Sequence, residues 1–317
     1  MLILPRFDYV RPTSIKEAIS YNLRSKNALY LAGGTDLIPR MKLGLNKPEL
    51  IIDLKGIEDI EGIKADNDTI SIGALTTLWE LERSKLLQEY FPHLVNAINL
   101  TSCETLKTRA TIGGNIIQEL RCLFYNQSEF WRKAKGLCFK TGGYRCHITG
   151  KQNCHANYRS DLGPVLLSLH AKLVLEGPAG RREMLITDLY TGEAAHPYNL
   201  FEGEIITHIV LSRKKTKGGY WKLRVRGAID YPEACVAISV IDGSINIAVG
   251  ALGPSPYLLT LSTSDLRYLD EFFEKIQPVA NTFLEPRYRW EMAKYMAKKL
   301  VLQFSKGGKN EHDRGEV

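Results

Sequence analysis

The chain has 317 residues, 44% of them hydrophobic and 24% charged. That is ordinary globular composition, enough for two domains or one large domain with an appendage. No run reaches the roughly 18 apolar residues that span a bilayer, and Met1 to Arg6 is too short for a signal-peptide core. The sequence therefore predicts a cytoplasmic protein with reduced thiols and no membrane association.

The net charge is +7, and eight Lys or Arg fall within residues 119–160 against two Glu. Eight less two leaves +6, so this one segment holds nearly the whole excess. A nucleic-acid binder more often shows a basic helix or an extended basic face. No nucleic-acid partner is expected.

In chain order, Ser14-Ile15-Lys16-Glu17 reads as a capping box opening a helix over 14–24. Ala28 to Ala32 is an apolar run ending at Gly33-Gly34, which reads as a strand entering a tight turn. Strands are expected at 50–54 and 69–73. Thr77-Leu78-Trp79-Glu80 is a second capping box, opening a helix to about 89, and another helix follows Phe91-Pro92. Residues 119–160 have few apolar positions and no clean periodicity. Strands are expected over 170–176 and 204–211. Arg213 to Gly219 is basic and glycine-rich and reads as a domain boundary. Asp242-Gly243 between two apolar alternations signals a hairpin. Helices at 263–276 and 286–303 finish the pattern, and 305–317 reads as a frayed tail. The fold class is α+β.

Two glycine turns carry the functional signal: Ala32-Gly33-Gly34-Thr35-Asp36 and Thr111-Ile112-Gly113-Gly114-Asn115. Each is expected to follow an apolar strand. A diphosphate needs inward amides and no Cβ in the way, which glycine supplies. Neither turn fits the G-x-G-x-x-G or P-loop pattern, so no Rossmann fold is expected. Either alone is no more than a common tight turn.

Taken with Ile72-Gly73-Ala74 and Ser160-Asp161-Leu162-Gly163-Pro164-Val165-Leu166, the pair resembles the FAD subunits of the xanthine dehydrogenase or molybdenum hydroxylase family. The resemblance runs over most of the chain. It implies a two-subdomain FAD-binding domain of the vanillyl-alcohol-oxidase/PCMH type over 1–215, split near 58, and a C-terminal α+β domain over 216–317. By motif position, Leu29, Tyr30, Leu31, Ala32, Gly33, Gly34, Thr35 and Asp36 would wrap the pyrophosphate. Thr111 and Gly114 would face it, with Asn115 and Gln118 close by and Thr101 in the same site. Asp161 would hydrogen-bond FAD, Ile206 would lie against it, and Lys222 would match a flavin-contacting lysine. On its own, Lys222 reads equally as a solvated strand lysine. The Asp36 carboxylate should point away from phosphate.

Cys122, Cys138, Cys146 and Cys154 fall within 33 residues, separated by 15, 7 and 7 positions. The segment lacks core-forming residues and needs another staple. The spacing is not C-x2-C, so it fits neither a zinc ribbon nor a bacterial ferredoxin run. A [4Fe-4S] cluster, a zinc ion or free thiols all remain open on spacing alone. His147 and His155 read as bystanders, and Cys103 and Cys235 as packing residues. In the family's common form the second turn runs almost directly into the Ser-Asp motif. Here Asn115 and Asp161 are 46 positions apart. A cysteine-bearing loop at this point, opening Arg121-Cys122-Leu123-Phe124-Tyr125, resembles the beta subunits of the 4-hydroxybenzoyl-CoA reductase branch.

That branch implies a [4Fe-4S] cluster on the four cysteines. It implies a low-potential, ferredoxin-like electron donor, a [2Fe-2S] small subunit and a molybdenum-cofactor large subunit. The assembly would be a heterohexamer of two three-subunit units, dehydroxylating 4-hydroxybenzoyl-CoA to benzoyl-CoA. No acid–base catalytic residue is expected in this chain. The alternative is an oxidising hydroxylase of the xanthine or carbon monoxide dehydrogenase kind, with electrons leaving through FAD.

Overall fold

The computed structural model describes residues 3–262 and 266–305. Its first sheet is parallel, in the order β1-β3-β2, built from β1 (Asp8–Val10), β2 (Ala28–Leu31) and β3 (Leu50–Asp53). The helix Ile15–Arg24 joins β1 to β2. The Ser14 hydroxyl accepts from the Glu17 amide at 3.3 Å, but the Glu17 carboxylate accepts from the Thr13 amide. The cap therefore forms without the full box that the sequence suggested. Ala18, Ile52, Leu54, Ile57 and Ile60 make a small core beneath this sheet.

The second sheet comprises β4 (Ile63–Ala65), β5 (Thr69–Gly73), β6 (Lys172–Gly177), β7 (Gly180–Leu185) and β8 (Ile205–Ser212). It is antiparallel, in the order β4-β5-β8-β6-β7. Between β5 and β6 the chain builds a layer of short helices and the whole cysteine loop. The Thr77–Glu80 capping box forms in both directions. The single helix expected from it is two, Leu78–Arg83 and Lys85–Tyr90. Ser84 divides them because its hydroxyl re-caps the chain at the Leu87 amide.

The third sheet is an antiparallel meander: β9 (Lys217–Leu223), β10 (Ala234–Ile241), β11 (Ser244–Gly250) and β12 (Tyr257–Leu261). The helix Pro286–Ser305 covers one face, and the helices Pro92–Asn99 and Leu162–Ser168 cover the other. Asp242 and Gly243 both have positive φ, +48° and +81°, as a two-residue hairpin turn requires. The segment read as a boundary, 213–219, is half strand, because β9 begins at Lys217. Gly218 permits this: a Cβ there would meet the Ile238 carbonyl oxygen at 2.1 Å. The expected helix at 263–276 runs from Leu266 to Glu274, and its first residues lie outside the described ones. The expected tail beyond Ser305 also lies outside them. Among the described residues no helix is long and apolar enough to cross a membrane.

A buried histidine marks the junction between helices and meander. His93, 2% exposed, meets the Ser239 hydroxyl through Nε2 at 2.9 Å, and its Nδ1 has no partner. Burial lowers its pKa to about 4. The unfolded chain therefore takes up a proton here before the folded one does. Stability from this site is full above about pH 6.5 and is lost as pH falls toward the folded value, by about 3 kcal/mol in all. We expect His93→Met to flatten the urea-unfolding profile between pH 6.5 and 4. An unchanged slope would mean that other groups govern acid unfolding.

Candidate functional site

A cavity of about 440 Å3 opens between the two glycine turns, with β8 and the 226–231 loop completing its wall. That volume lies in the range of small-molecule and cofactor sites. Each turn needs its glycines for a different reason. A Cβ on Gly33 would overlap the Arg109 carbonyl oxygen at 1.7 Å, so the turn seats directly on that peptide. Gly34 takes φ +76° to send the chain into the helix Leu37–Lys42. A Cβ on Gly113 would meet Ala74 at 2.8 Å. The second turn does not follow a strand, as the sequence suggested. It is the start of a short helix, Ile112–Ile116, capped by the Thr111 hydroxyl accepting from the Gly114 amide at 3.2 Å.

Of the sixteen residues that the resemblance assigns to FAD, all but Leu31 and Lys222 line this cavity. Lys222 is neither at the cavity nor solvated. Its side chain is 1% exposed, with Nζ 2.9 Å from Asp161 Oδ1 and donating to the Leu100 carbonyl at 2.8 Å. The Tyr220 hydroxyl donates to the same Asp161 oxygen at 2.6 Å. Burial pushes the Asp161 carboxyl up, and Lys222 and Tyr220 oppose that push. Lys222 thus reaches the cavity only through Asp161. The Asn115 side-chain oxygen accepts from the Ser160 hydroxyl at 2.6 Å, tying the second turn to the Ser-Asp motif.

Asp36 lines the cavity but is neutralised. It pairs with the Arg121 guanidinium, accepts from the Glu119 amide at 3.3 Å, and lies 3.8 Å from Arg40. Arg40, Asn46, Ser102 and Arg121 were not foreseen as site residues. All four line the cavity, and each keeps a buried polar atom without a partner there: Arg40 Nε, Asn46 Oδ1, Ser102 Oγ and Arg121 Nε. Unpartnered buried polar atoms are costly, and a polar ligand satisfies them. The opposite wall carries Tyr231, whose ring sits 4.7 Å from the Arg121 guanidinium and whose hydroxyl accepts from it at 2.8 Å.

The cysteine loop rises from a two-residue base, the antiparallel bridge Arg121↔Asn157. Asn281, from the segment before the last helix, pins it by accepting from the Leu123 amide and donating to the His155 carbonyl. Inside, Cys122, Cys138, Cys146 and Cys154 all line one small cavity of about 10 Å3. Among the described residues, no three His, Cys, Asp or Glu groups are close enough to hold a single metal ion. Burial disfavours the Cys146 thiolate, but hydrogen bonds from Thr149 and nearby backbone outweigh it and lower the thiol pKa. Burial raises that of Cys154. His147 stacks flat on Phe124 at 4.2 Å and contacts the Leu137 carbonyl; His155 contacts Asn153. Cys235 is buried packing, as expected. Cys103 is not: it is partly exposed at a helix start, its sulfur 3.2 Å from the Thr105 hydroxyl.

With this geometry in hand, similarity to known proteins is informative. A family described as "FAD binding domain in molybdopterin dehydrogenase" matches residues 5–213. The chain belongs to the FAD-binding subunits of the molybdenum hydroxylase family. It is 27% identical over 296 residues to the aldehyde oxidoreductase FAD-binding subunit of Escherichia coli (strain K12), covering 87% of this chain and 93% of that one. It is 26% identical over 279 residues to the carbon monoxide dehydrogenase medium chain of Hydrogenophaga pseudoflava, covering 86% and 84%. A solved structure of carbon monoxide dehydrogenase from Hydrogenophaga pseudoflava superposes with a TM-score of 0.74 at 25% identity, over 95% of this chain and 97% of that one. The PCMH-type FAD-binding fold expected from the sequence is thereby established. As a FAD subunit of this family, the chain is an oxidoreductase component and FAD is its cofactor.

In the FAD subunit the Asp161–Lys222 pair is buried on both sides. Removing only the cation leaves a carboxylate without its counter-charge. We expect Lys222→Met to cost about 3 kcal/mol in urea unfolding, and Asp161→Asn added to it to recover part of that loss. Equal destabilisation by the single and double variants would show that Lys222 acts by packing alone.

Proposed function

We propose that FAD lies in the cavity between the two glycine turns and that the cysteine loop adds a [4Fe-4S] cluster beside it. The residues fit FAD. The unpartnered atoms of Arg40, Asn46, Ser102 and Arg121 are donors and acceptors for a polar ligand, and Asp161 is held in place from behind. Bound FAD supplies a centre that takes up electrons singly or in pairs.

The observation that carries the cluster is the convergence of four separated cysteines on one cavity. In number and kind these donors fit a cluster. Four thiolates on one zinc ion would stand roughly 3.8 Å apart, given Zn–S bonds of about 2.3 Å. No such grouping exists among the described residues, whereas a cubane holds its thiolates further apart. The space among them is small, so the loop must spread to admit four irons. A cluster would supply a one-electron centre able to reach low potential. Arg121 lines the FAD cavity and its neighbour Cys122 lines the cysteine cavity, so the two sites are adjacent along the backbone.

On this reading the chain serves a three-subunit unit, paired into a hexamer, with a molybdenum large subunit and a [2Fe-2S] small subunit. Electrons enter from an acidic, ferredoxin-like donor. Exposed Phe130, Leu137 and Tyr144 beside Arg145 and Lys151 offer such a donor an apolar, cation-rimmed face. The reaction served is the reductive dehydroxylation of 4-hydroxybenzoyl-CoA. A second reading is favoured by the relatives, which are named carbon monoxide dehydrogenase and aldehyde oxidoreductase subunits. In it, the complex oxidises its substrate and electrons leave through FAD.

The two readings separate in anaerobic reduction of the purified chain by dithionite-reduced ferredoxin. The reductive reading expects flavin bleaching that slows at least tenfold when any of Cys122, Cys138, Cys146 or Cys154 becomes Ser, with FAD content unchanged. Equal bleaching in the four variants would leave the cysteine loop outside the electron path and favour the oxidising reading.

A further inference from the structure

Five charged side chains run in an unbroken line from the cysteine cavity to the FAD cavity. Lys140, which lines the cysteine cavity, pairs with one oxygen of Glu119. The other Glu119 oxygen takes Arg40 Nη2 at 3.0 Å. Arg40 lies 3.8 Å from Asp36, and Asp36 pairs with Arg121. Arg40, Asp36 and Arg121 all line the FAD cavity. None of the five side chains is more than 25% exposed. The line alternates in sign, cation to anion to cation, and ends in cations at both cavities.

Glu119 is the junction. It is shared between a cation from the cysteine loop and a cation of the FAD cavity. With Lys140 in place its charge is divided between them. Without Lys140 the whole carboxylate falls to Arg40 and competes with any anion that Arg40 serves. Arg40 still has a free, buried Nε at the cavity wall, so its direction matters there. Lys140 is held against a second partner as well, with Nζ 5.1 Å from the centre of the Tyr125 ring. The Tyr125 amide in turn donates to the Cys122 sulfur at 3.3 Å. The fold of the cysteine loop therefore sets where this cation stands.

We propose that Lys140 is a positioning residue of the FAD site, acting through Glu119 to keep Arg40 and Asp36 available to the cofactor. The cysteine loop then has a second task besides its sulfurs: it completes the charge balance of the neighbouring cavity. The inference rests on FAD occupying that cavity.

The test is FAD affinity of the full chain, read by flavin fluorescence on release, with the flavin midpoint potential read alongside. Lys140→Gln keeps a hydrogen-bond donor for Glu119 and removes only the charge. It should weaken FAD about tenfold, the scale of one charge-assisted hydrogen bond, and lower the midpoint potential. Lys140→Arg should stay within about twofold of wild type. Adding Glu119→Gln to Lys140→Gln should restore affinity to within about twofold, because the uncompensated carboxylate is gone. Lys133→Met removes the same charge from an exposed site on the same loop, paired with Glu129, and should change nothing. Wild-type affinity in Lys140→Gln, or an equal loss with and without Glu119→Gln, overturns the proposal. A Lys140→Gln chain that folds only once Glu119→Gln is added supports it, and failure of both overturns it. A wild-type chain that holds no flavin removes the reading beneath it. Flavin held equally well by wild type and Lys140→Gln removes only the role of Lys140.

Discussion

The seat of Gly33 on the Arg109 peptide fixes the distance between the two glycine turns, and the cavity exists because of that distance. Any side chain at 33 would overlap the Arg109 carbonyl oxygen. The same peptide leads into the Leu78 amide bond at Ala110 and on to the Thr111 cap. Gly113 then packs on Ala74, at the end of β5. One close backbone approach thereby ties the parallel sheet, the helical layer and the antiparallel sheet around one space. The helix starts after each turn follow from this placement.

Charge is handled around that space in pairs. Cations and anions alternate on its wall, so a buried polar surface exists without a large uncompensated charge. Asp36 is matched by Arg121 and Arg40, and Asp161 by Lys222. Arg159, also on the wall, is held by Glu233, and Glu233 lies beside the fully buried Arg289 of the last helix. The third sheet and its helices therefore support the cavity through ion pairs as well as through their own apolar core. Asn281 extends that support to the cysteine loop.

Local chemistry was readable in the sequence where a few adjacent residues decide the outcome. The Thr77–Glu80 box and the Asp242-Gly243 hairpin are of this kind, since each is complete within four residues. The β7 strand was not readable, because Arg181, Arg182 and Glu183 carry no apolar alternation and pair at the sheet edge. The motif pattern found most of the cavity wall, because backbone turns keep their place when side chains vary. It misassigned Lys222, because position in a motif does not reveal which residue stands between a side chain and the cavity. Arg40 and Asn46 left no signal at all. Their role comes from the fold bringing residues 36–46 against residues 119–121, which lie far apart in the chain. Cys103 looked like packing for want of neighbours in sequence, whereas a helix start holds it near the surface.

The central claim is that two electron-carrying sites sit side by side in this one chain. The most direct measurement is the content of iron, acid-labile sulfide, zinc and flavin per chain after purification without oxygen, with low-temperature EPR after dithionite reduction. The account predicts about one FAD, about four irons and about four sulfides per chain, and a signal from a reduced cluster. One FAD with zinc, or with no metal, would contradict it: the cysteine loop would then be a structural attachment to an otherwise ordinary FAD subunit.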